Sequence, residues 1–288
     1  MFTDAHTHLN ISPLYEERPH HIQEFIQRDG VWLSIIWTDY DNTTKAIDIV
    51  QQARIRHPDL RIGATVGLHP ECILHHHHQH SSRDDRLTQS LQSLEELITK
   101  YSENIIAIGE IGTDMHREEY RIFHNQQLIL FDAQCQLARK YQLPIVIHSR
   151  SDFHGSMEVL KKYSDLTIYF HCRWYTPHEI TQLTEVLPQV FGRETGRWYI
   201  GFCGNITYPK AHDLRESLTS CKDHNIPFLI ETDAPFLAAQ TIRGQTNTPA
   251  LIHHTYKYIS EYLYIPLSTL QSQVYHNWKK LYQKVDKW

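Results

Sequence analysis

Eight short apolar runs, spaced by stretches of helical periodicity, constrain this chain more than any other feature. The runs are residues 2–6, 31–37, 61–68, 105–108, 144–147, 166–170, 198–202 and 228–230. Val31 to Trp37 is apolar almost without a break, as a strand covered on both faces should be. Residues 19–29, 43–56, 87–100, 118–141, 153–163, 177–187 and 208–223 read as helices between the runs, and 248–262 and 267–284 read as helices after the last one. In the last of these, Leu267, Leu270, Val274, Trp278 and Leu281 form an apolar stripe, which predicts core packing. Strands that alternate with helices are the signature of parallel βα units. Eight such units in 288 residues predict an α/β protein of the TIM (β/α)8 barrel type, with 1–288 as a single domain. An open doubly wound sheet is the alternative, but no Gly-x-Gly-x-x-Gly loop follows the first run.

A barrel of this kind carries its active site at the C-terminal ends of its strands. The polar residues at those ends are His6 and His8 (first strand), Glu110 (fourth), His148 (fifth), His171 (sixth) and Asp233 (eighth). His6 and His8 stand at i and i+2, which puts both imidazoles on one side of an extended segment. Each residue alone has an ordinary reading: a core histidine, a loop carboxylate, a turn cap. Together, on one barrel mouth, they form a set of N and O donors suited to magnesium, manganese, zinc or a related ion. Six ligands are too many for one tetrahedral ion and suit two divalent ions. The expected assignment is His6, His8 and Asp233 on one ion and His148 and His171 on the other, with Glu110 bridging. Two ions about 3.5–4 Å apart can activate a water and stabilise the leaving oxygen of a phosphodiester. Asp233 can take the proton from that water as general base.

Composition excludes several other classes. A net charge of −5 argues against a basic face that coats duplex DNA. It leaves room for a nuclease that grips a strand end at a metal centre, because bound cations add local positive charge. No run of 18 apolar residues predicts a membrane span, and no basic-then-apolar leader stands at the start. Five cysteines without a Cys-x-x-Cys pair fit reduced thiols and a cytoplasmic location. Histidine is in excess at 22 residues, and His75 to His78 with His80 form a run expected to be a solvated insertion outside the site.

Phe2-Thr3-Asp4-Ala5-His6-Thr7-His8-Leu9 resembles the opening motif of the TatD family of metal-dependent deoxyribonucleases, which belong to the amidohydrolase-like barrels. Gly67-Leu68-His69-Pro70 and Ala107-Ile108-Gly109-Glu110-Ile111-Gly112 resemble its second and third motifs. Leu143 to Arg150, Phe170-His171-Cys172 and Leu229 to Pro235 resemble the ends of strands five, six and eight, and Asn277-x-x-x-Leu281-Tyr282 the C-terminal helix. The motifs occur in order from residue 2 to about 282. The resemblance implies a TIM barrel, one or two divalent ions, and hydrolysis of DNA phosphodiesters, often from the 3′ end of single strands. Its ligands fall on the six residues already named, with Glu110 and Asp233 as the catalytic carboxylates. It adds His69 and Arg150 as substrate-binding positions, Arg150 through a charge-assisted contact to phosphate. The implied enzyme is a monomer whose partner is DNA, at single-stranded ends, and not a membrane.

The chain departs from the family pattern in places. Thr113-Asp114 stands where Leu-Asp is usual, and Arg173-Trp174-Tyr175 replaces Phe-Ser-Gly after His171-Cys172. Trp174 or Tyr175 can stack on a base or plug the pocket. The segment Arg243 to Pro249 replaces the usual Arg-Asn-x-x-Pro, and the His75–His80 run and residues 191–197 read as insertions. Two other classes compete. One is a different amidohydrolase-like metal hydrolase acting on a small phosphoester or amide. Many binuclear members of that group bridge their metals with a modified lysine from the fourth strand, and here that strand ends in Glu110 without a lysine. The other is a metal-binding protein with reduced catalysis, against which the complete set of six donors argues.

Overall fold

The structure is a computed structural model that describes residues 1–37, 43–75, 83–172, 176, 178–183 and 197–283. Its centre is a parallel sheet of β1 (Phe2–Thr7), β2 (Gly30–Ile35), β3 (Arg61–Val66), β4 (Ile105–Asp114), β5 (Ile145–Arg150), β6 (Ile168–Phe170), β7 (Trp198–Phe202) and β8 (Phe228–Ile230). The strands follow one another in chain order, each hydrogen-bonded in parallel to the next. A bridge from Thr7 to Ala234 brings the eighth strand back to the first. His8 N donates to Ala234 O at 2.8 Å and Asp233 N to His6 O at 2.9 Å across this seam. Asp4 adds a side-chain stitch. Its Oδ1 accepts from Thr232 N at 2.9 Å and from His6 N at 3.2 Å, and its Oδ2 accepts from the Thr232 hydroxyl at 2.6 Å. The predicted (β/α)8 barrel is therefore present, and its seam runs between the segments that carry His6, His8 and Asp233.

Helices α1 (Arg18–Gln27), α2 (Thr43–Arg56), α3 (Arg83–Lys100), α4 (His124–Tyr141), α5 (Phe153–Leu160), α6 (His212–Asp223), α7 (Ile252–Tyr262) and α8 (Leu267–Leu281) surround the sheet, with 178–183 also helical. Along α8, Leu270, Val274, Trp278 and Leu281 are buried as the stripe predicts, whereas Leu267, in its first turn, is 37% exposed. This helix packs on β1 and β8, and Trp278 meets the Trp32 ring of β2 at 3.8 Å. It therefore covers the seam.

The expected continuous helix over 118–141 is interrupted. A single turn, Glu118–Arg121, precedes α4, because the Gln127 amide donates to Tyr120 O at 2.9 Å and takes the carbonyl the helix ladder would use. The same buried Gln127 accepts from Asp114 N at 2.7 Å and so fixes the end of β4. One more glutamine of α4, Gln134, pairs with both backbone groups of Leu68 at 2.6 and 3.0 Å and fixes the segment that carries His69. The helix expected over 208–223 begins only at His212, since Arg215 ties the carbonyls of Ile206, Tyr208 and Pro209. Pro249–Leu251 is a 3-10 turn leading into α7. His76 to His80, Arg173-Trp174-Tyr175, residues 184–196 and the last residue expected in α8 lie outside the described residues.

The fourth strand is longer than its apolar run. Its register against β5 shifts between Ile108 and Ile111, and pairing resumes as Ile111 with Ile147, Gly112 with His148, Thr113 with Ser149 and Asp114 with Arg150. Gly112 makes this continuation possible. Its φ of 137° is a conformation L residues rarely adopt, and a Cβ there would stand 2.1 Å from His148 O. The extension carries Asp114 to the same mouth as Glu110.

Candidate active site

The six predicted donors and His69 converge at the C-terminal mouth of the barrel. Glu110 is the middle of the arrangement, buried, with its two oxygens facing different histidines. Oε1 lies 2.9 Å from His171 Nε2 and 3.2 Å from His148 Nδ1. Oε2 lies 3.6 Å from His6 Nε2 and 3.9 Å from His8 Nε2. On the second side, His6 Nε2 and His8 Nε2 are 3.2 Å apart, and Asp233 Oδ1 is 3.2 Å from His8 and 3.6 Å from His6. A tetrahedral ion with bonds of about 2.1 Å holds its ligand atoms about 3.4 Å apart. The three edges of the His6–His8–Asp233 triangle match that spacing.

The hydrogen-bond roles of the rings make the same point. His8 Nδ1 faces Ile36 O at 3.2 Å, so the ring donates there and, when neutral, offers a bare Nε2 toward His6. Two neutral Nε2 atoms and two carboxylates facing one another are electron-rich on every side, and a cation relieves that arrangement. The residues present therefore fit a divalent ion between His6, His8, Asp233 and Glu110. The other side is more open. His148 and His171 both reach Glu110 Oε1, but close groups of donors form as His69–Glu110–His148 and as His6–His171–Glu231.

Two carboxylates stand behind the donors, and neither was expected as part of the site. Asp114 Oδ2 lies 3.2 Å from His148 Nε2. Glu231 is fully buried, accepts from the Tyr169 hydroxyl and Cys172 N, and places Oε1 3.4 Å from His171 Nδ1 and Oε2 4.0 Å from His6 Nδ1. One carboxylate thus backs an imidazole on each side, and the His6 and His171 rings stack at 3.7 Å. The available sequence signal was the Glu231-Thr232-Asp233 order: two acidic residues two apart at a strand end can both reach the barrel interior.

Electrostatics follow burial first and neighbours second. Burial pushes His6 down to about 3, helped by the nearby His171, and pushes His69 down to about 4, helped by His148. Burial opposes charge on the remaining imidazoles too, but carboxylates reverse it. Asp114 and Glu110 raise His148 to about 9, Glu110 and Glu231 hold His171 well above the usual histidine range, and Asp233 raises His8. Glu110 is held well below the usual carboxylate range by His171 and His6, against its burial. Without an ion, protons on His148 and His171 balance the charges of Glu110 and Asp114.

His69 is buried, its ring 4.4 Å from that of His148, and its Nδ1 accepts from Glu71 N at 3.2 Å. Arg150 ends β5 two residues beyond His148, and its charge acts on Asp114. Both predicted substrate positions therefore border the cluster.

Residues 3–283 match the family described as TatD related DNase. A relative from Mycoplasma pneumoniae, named an uncharacterized metal-dependent hydrolase, is 30% identical over 283 residues, covering 98% of this chain and 99% of its own. A Pantoea protein named 3′-5′ ssDNA/RNA exonuclease TatD is 27% identical over 249 residues, covering 83% of this chain and 85% of its own. The crystal structure of YJJV, a TatD homologue from Escherichia coli, has the same fold, with a TM-score of 0.79 at 23% identity over 98% of each chain. A match of this length joins the barrel and its cluster of donors in one conclusion: the chain belongs to the TatD-related DNase family and is a TatD-type metal-dependent hydrolase.

Proposed function

We propose that the protein hydrolyses DNA phosphodiester bonds at single-stranded 3′ ends, with two divalent ions (magnesium, manganese or zinc) held by His6, His8, Glu110, His148, His171 and Asp233. The observation that carries this reading is the division of Glu110, one oxygen toward His6 and His8 and the other toward His148 and His171. Bound ions of this kind supply Lewis-acid stabilisation of phosphate charge and lower the pKa of water. The protein's own residues supply the rest. Asp233 is the proton acceptor. Of the four mouth carboxylates it is the most open, at 9% exposure against 2% for Glu110, 3% for Asp114 and none for Glu231, so it is the one that water and substrate can reach. Asp114 and Glu231 orient His148, His171 and His6 from behind. Arg150 and His69 border the place where a phosphate would lie, and the Arg150 guanidinium can hold a non-bridging oxygen.

The preference for single strands and the 3′-to-5′ direction rest on the name of the Pantoea relative. The five free thiols fit a cytoplasmic place of work. The test is release of nucleotides from a single-stranded oligonucleotide with magnesium or manganese present and after chelation. RNA, duplex DNA and a phosphotriester analogue run beside it. Ion-dependent release of mononucleotides is the expected result. Turnover of the phosphotriester alone would move the protein to a different hydrolase class on the same barrel.

A further inference from the structure

The loop after β8 holds an aromatic ring out of the protein beside the donors. Phe236 follows Asp233 by three residues and is 53% exposed. Its ring centre lies 6.1 Å from that of His8, with the planes at 67°. Among the described residues it is the exposed large apolar side chain whose ring meets a candidate ligand. Exposed apolar residues are common on protein surfaces and usually carry no meaning. This one differs because its backbone is clamped on both sides. Phe236 N donates to Asp233 O at 2.8 Å, and Phe236 O accepts from the Asn247 amide at 2.8 Å. The same Asn247 amide donates to Thr232 O at 2.9 Å, and Asn247 N donates to Pro235 O at 3.2 Å. Asn247 is itself 3% exposed. A buried side chain therefore fixes the loop that presents an unburied ring.

We propose that Phe236 is a nucleobase platform: its ring stacks on the unpaired base of the nucleotide whose phosphate lies at the His8–Asp233 side of the site. This inference rests on the nuclease reading above and adds a binding subsite to it. Aromatic stacking suits a single strand because every base has a π-face, so the subsite grips the substrate without selecting sequence. It also disfavours duplex ends, whose bases are already stacked and paired. The platform and the proton acceptor Asp233 sit on one short clamped loop, so base and phosphate are placed relative to each other by the same element.

The test compares two single-stranded oligonucleotides with the manganese-loaded protein. One has ordinary nucleotides at its 3′ end and the other has abasic residues there. The wild-type protein is expected to favour the base-bearing strand by about 5–150-fold in kcat/KM, the usual range for one stacked base. Phe236→Ala should abolish that preference, chiefly through KM, and Phe236→Trp should restore it. Equal wild-type turnover of both strands, or a preference kept in Phe236→Ala, overturns the platform while leaving the nuclease reading intact. Turnover of neither strand overturns the nuclease reading and the platform with it.

Discussion

Asp114 Oδ2 lies 3.2 Å from Nε2 of His148, on the edge of the ring opposite the Nδ1 that faces Glu110. A carboxylate in that position fixes the ring's orientation and raises the basicity of the Nδ1 that would meet an ion beside Glu110. Asp114→Asn keeps the shape and removes the charge. Affinity for manganese or zinc should fall about 10–100-fold, the usual loss for such a partner. Isothermal titration calorimetry on the folded variant measures it, and unchanged affinity would leave Asp114 a purely structural role.

Glu110 is expected to matter more, because it faces both halves of the cluster. Glu110→Ala should lower activity by more than about 100-fold, beyond the range for an outer partner. Elemental analysis of the same preparation should show fewer bound ions. Full turnover with undiminished metal in this variant would remove its bridging role.

The ion-free protein should be most stable near pH 6.5. His148 has a folded-state pKa of about 9, above its unfolded value of about 6.5. Its stabilising contribution is therefore complete below about 6.5 and disappears as pH rises toward 9. His171 is raised and acts in the same direction. His6 and His69 are depressed to about 3 and 4, so they withdraw stability as pH falls below about 6.5. Thermal unfolding of the chelated protein from pH 5 to 9.5 should show a maximum between these limbs. Saturating manganese should flatten the alkaline limb, because ion binding displaces the His148 and His171 protons. An alkaline limb of equal slope with and without ion would disprove that exchange.

Arg150→Ala separates phosphate contact from structural support. As a phosphate contact it should cost about 1.5–3 kcal/mol in kcat/KM, the worth of a hydrogen bond to a charged group. Metal content should stay constant, because the side chain is not among the six donors. If Arg150 instead serves Asp114, whose carboxyl its charge helps to keep low, the variant loses thermal stability and keeps normal turnover per folded molecule. Kinetics and melting on one preparation distinguish the two.

The barrel was legible because each strand is a local apolar run and each helix a local period. The convergence of the six candidate donors was legible because barrel geometry puts strand ends at one mouth. Asp114 and Glu231 were not, since each is defined by a partner on another strand. Asp114 acquires its role from His148 on β5, across a register shift that apolarity does not reveal. Glu231 acquires its role from His6 and His171, far away in the chain and adjacent only after closure. The break before α4 was hidden for the same reason, being set by a side-chain bond of Gln127 rather than by a helix-breaking residue. The outward position of Phe236 was not legible either, since it depends on the clamp from Asn247, eleven residues further along the chain.

The seam that sets Asp233 beside His8 joins residues 225 positions apart. At about 5–20 residues per second, a ribosome adds the second roughly 10–45 s after the first. The helix that covers the seam, α8, is made later still. During that interval His6 and His8 have neither their carboxylate nor a closed wall around them. A nascent chain that has reached only its early strands therefore carries the opening motif without the centre it serves, and the donors come together only after Asp233 has been added.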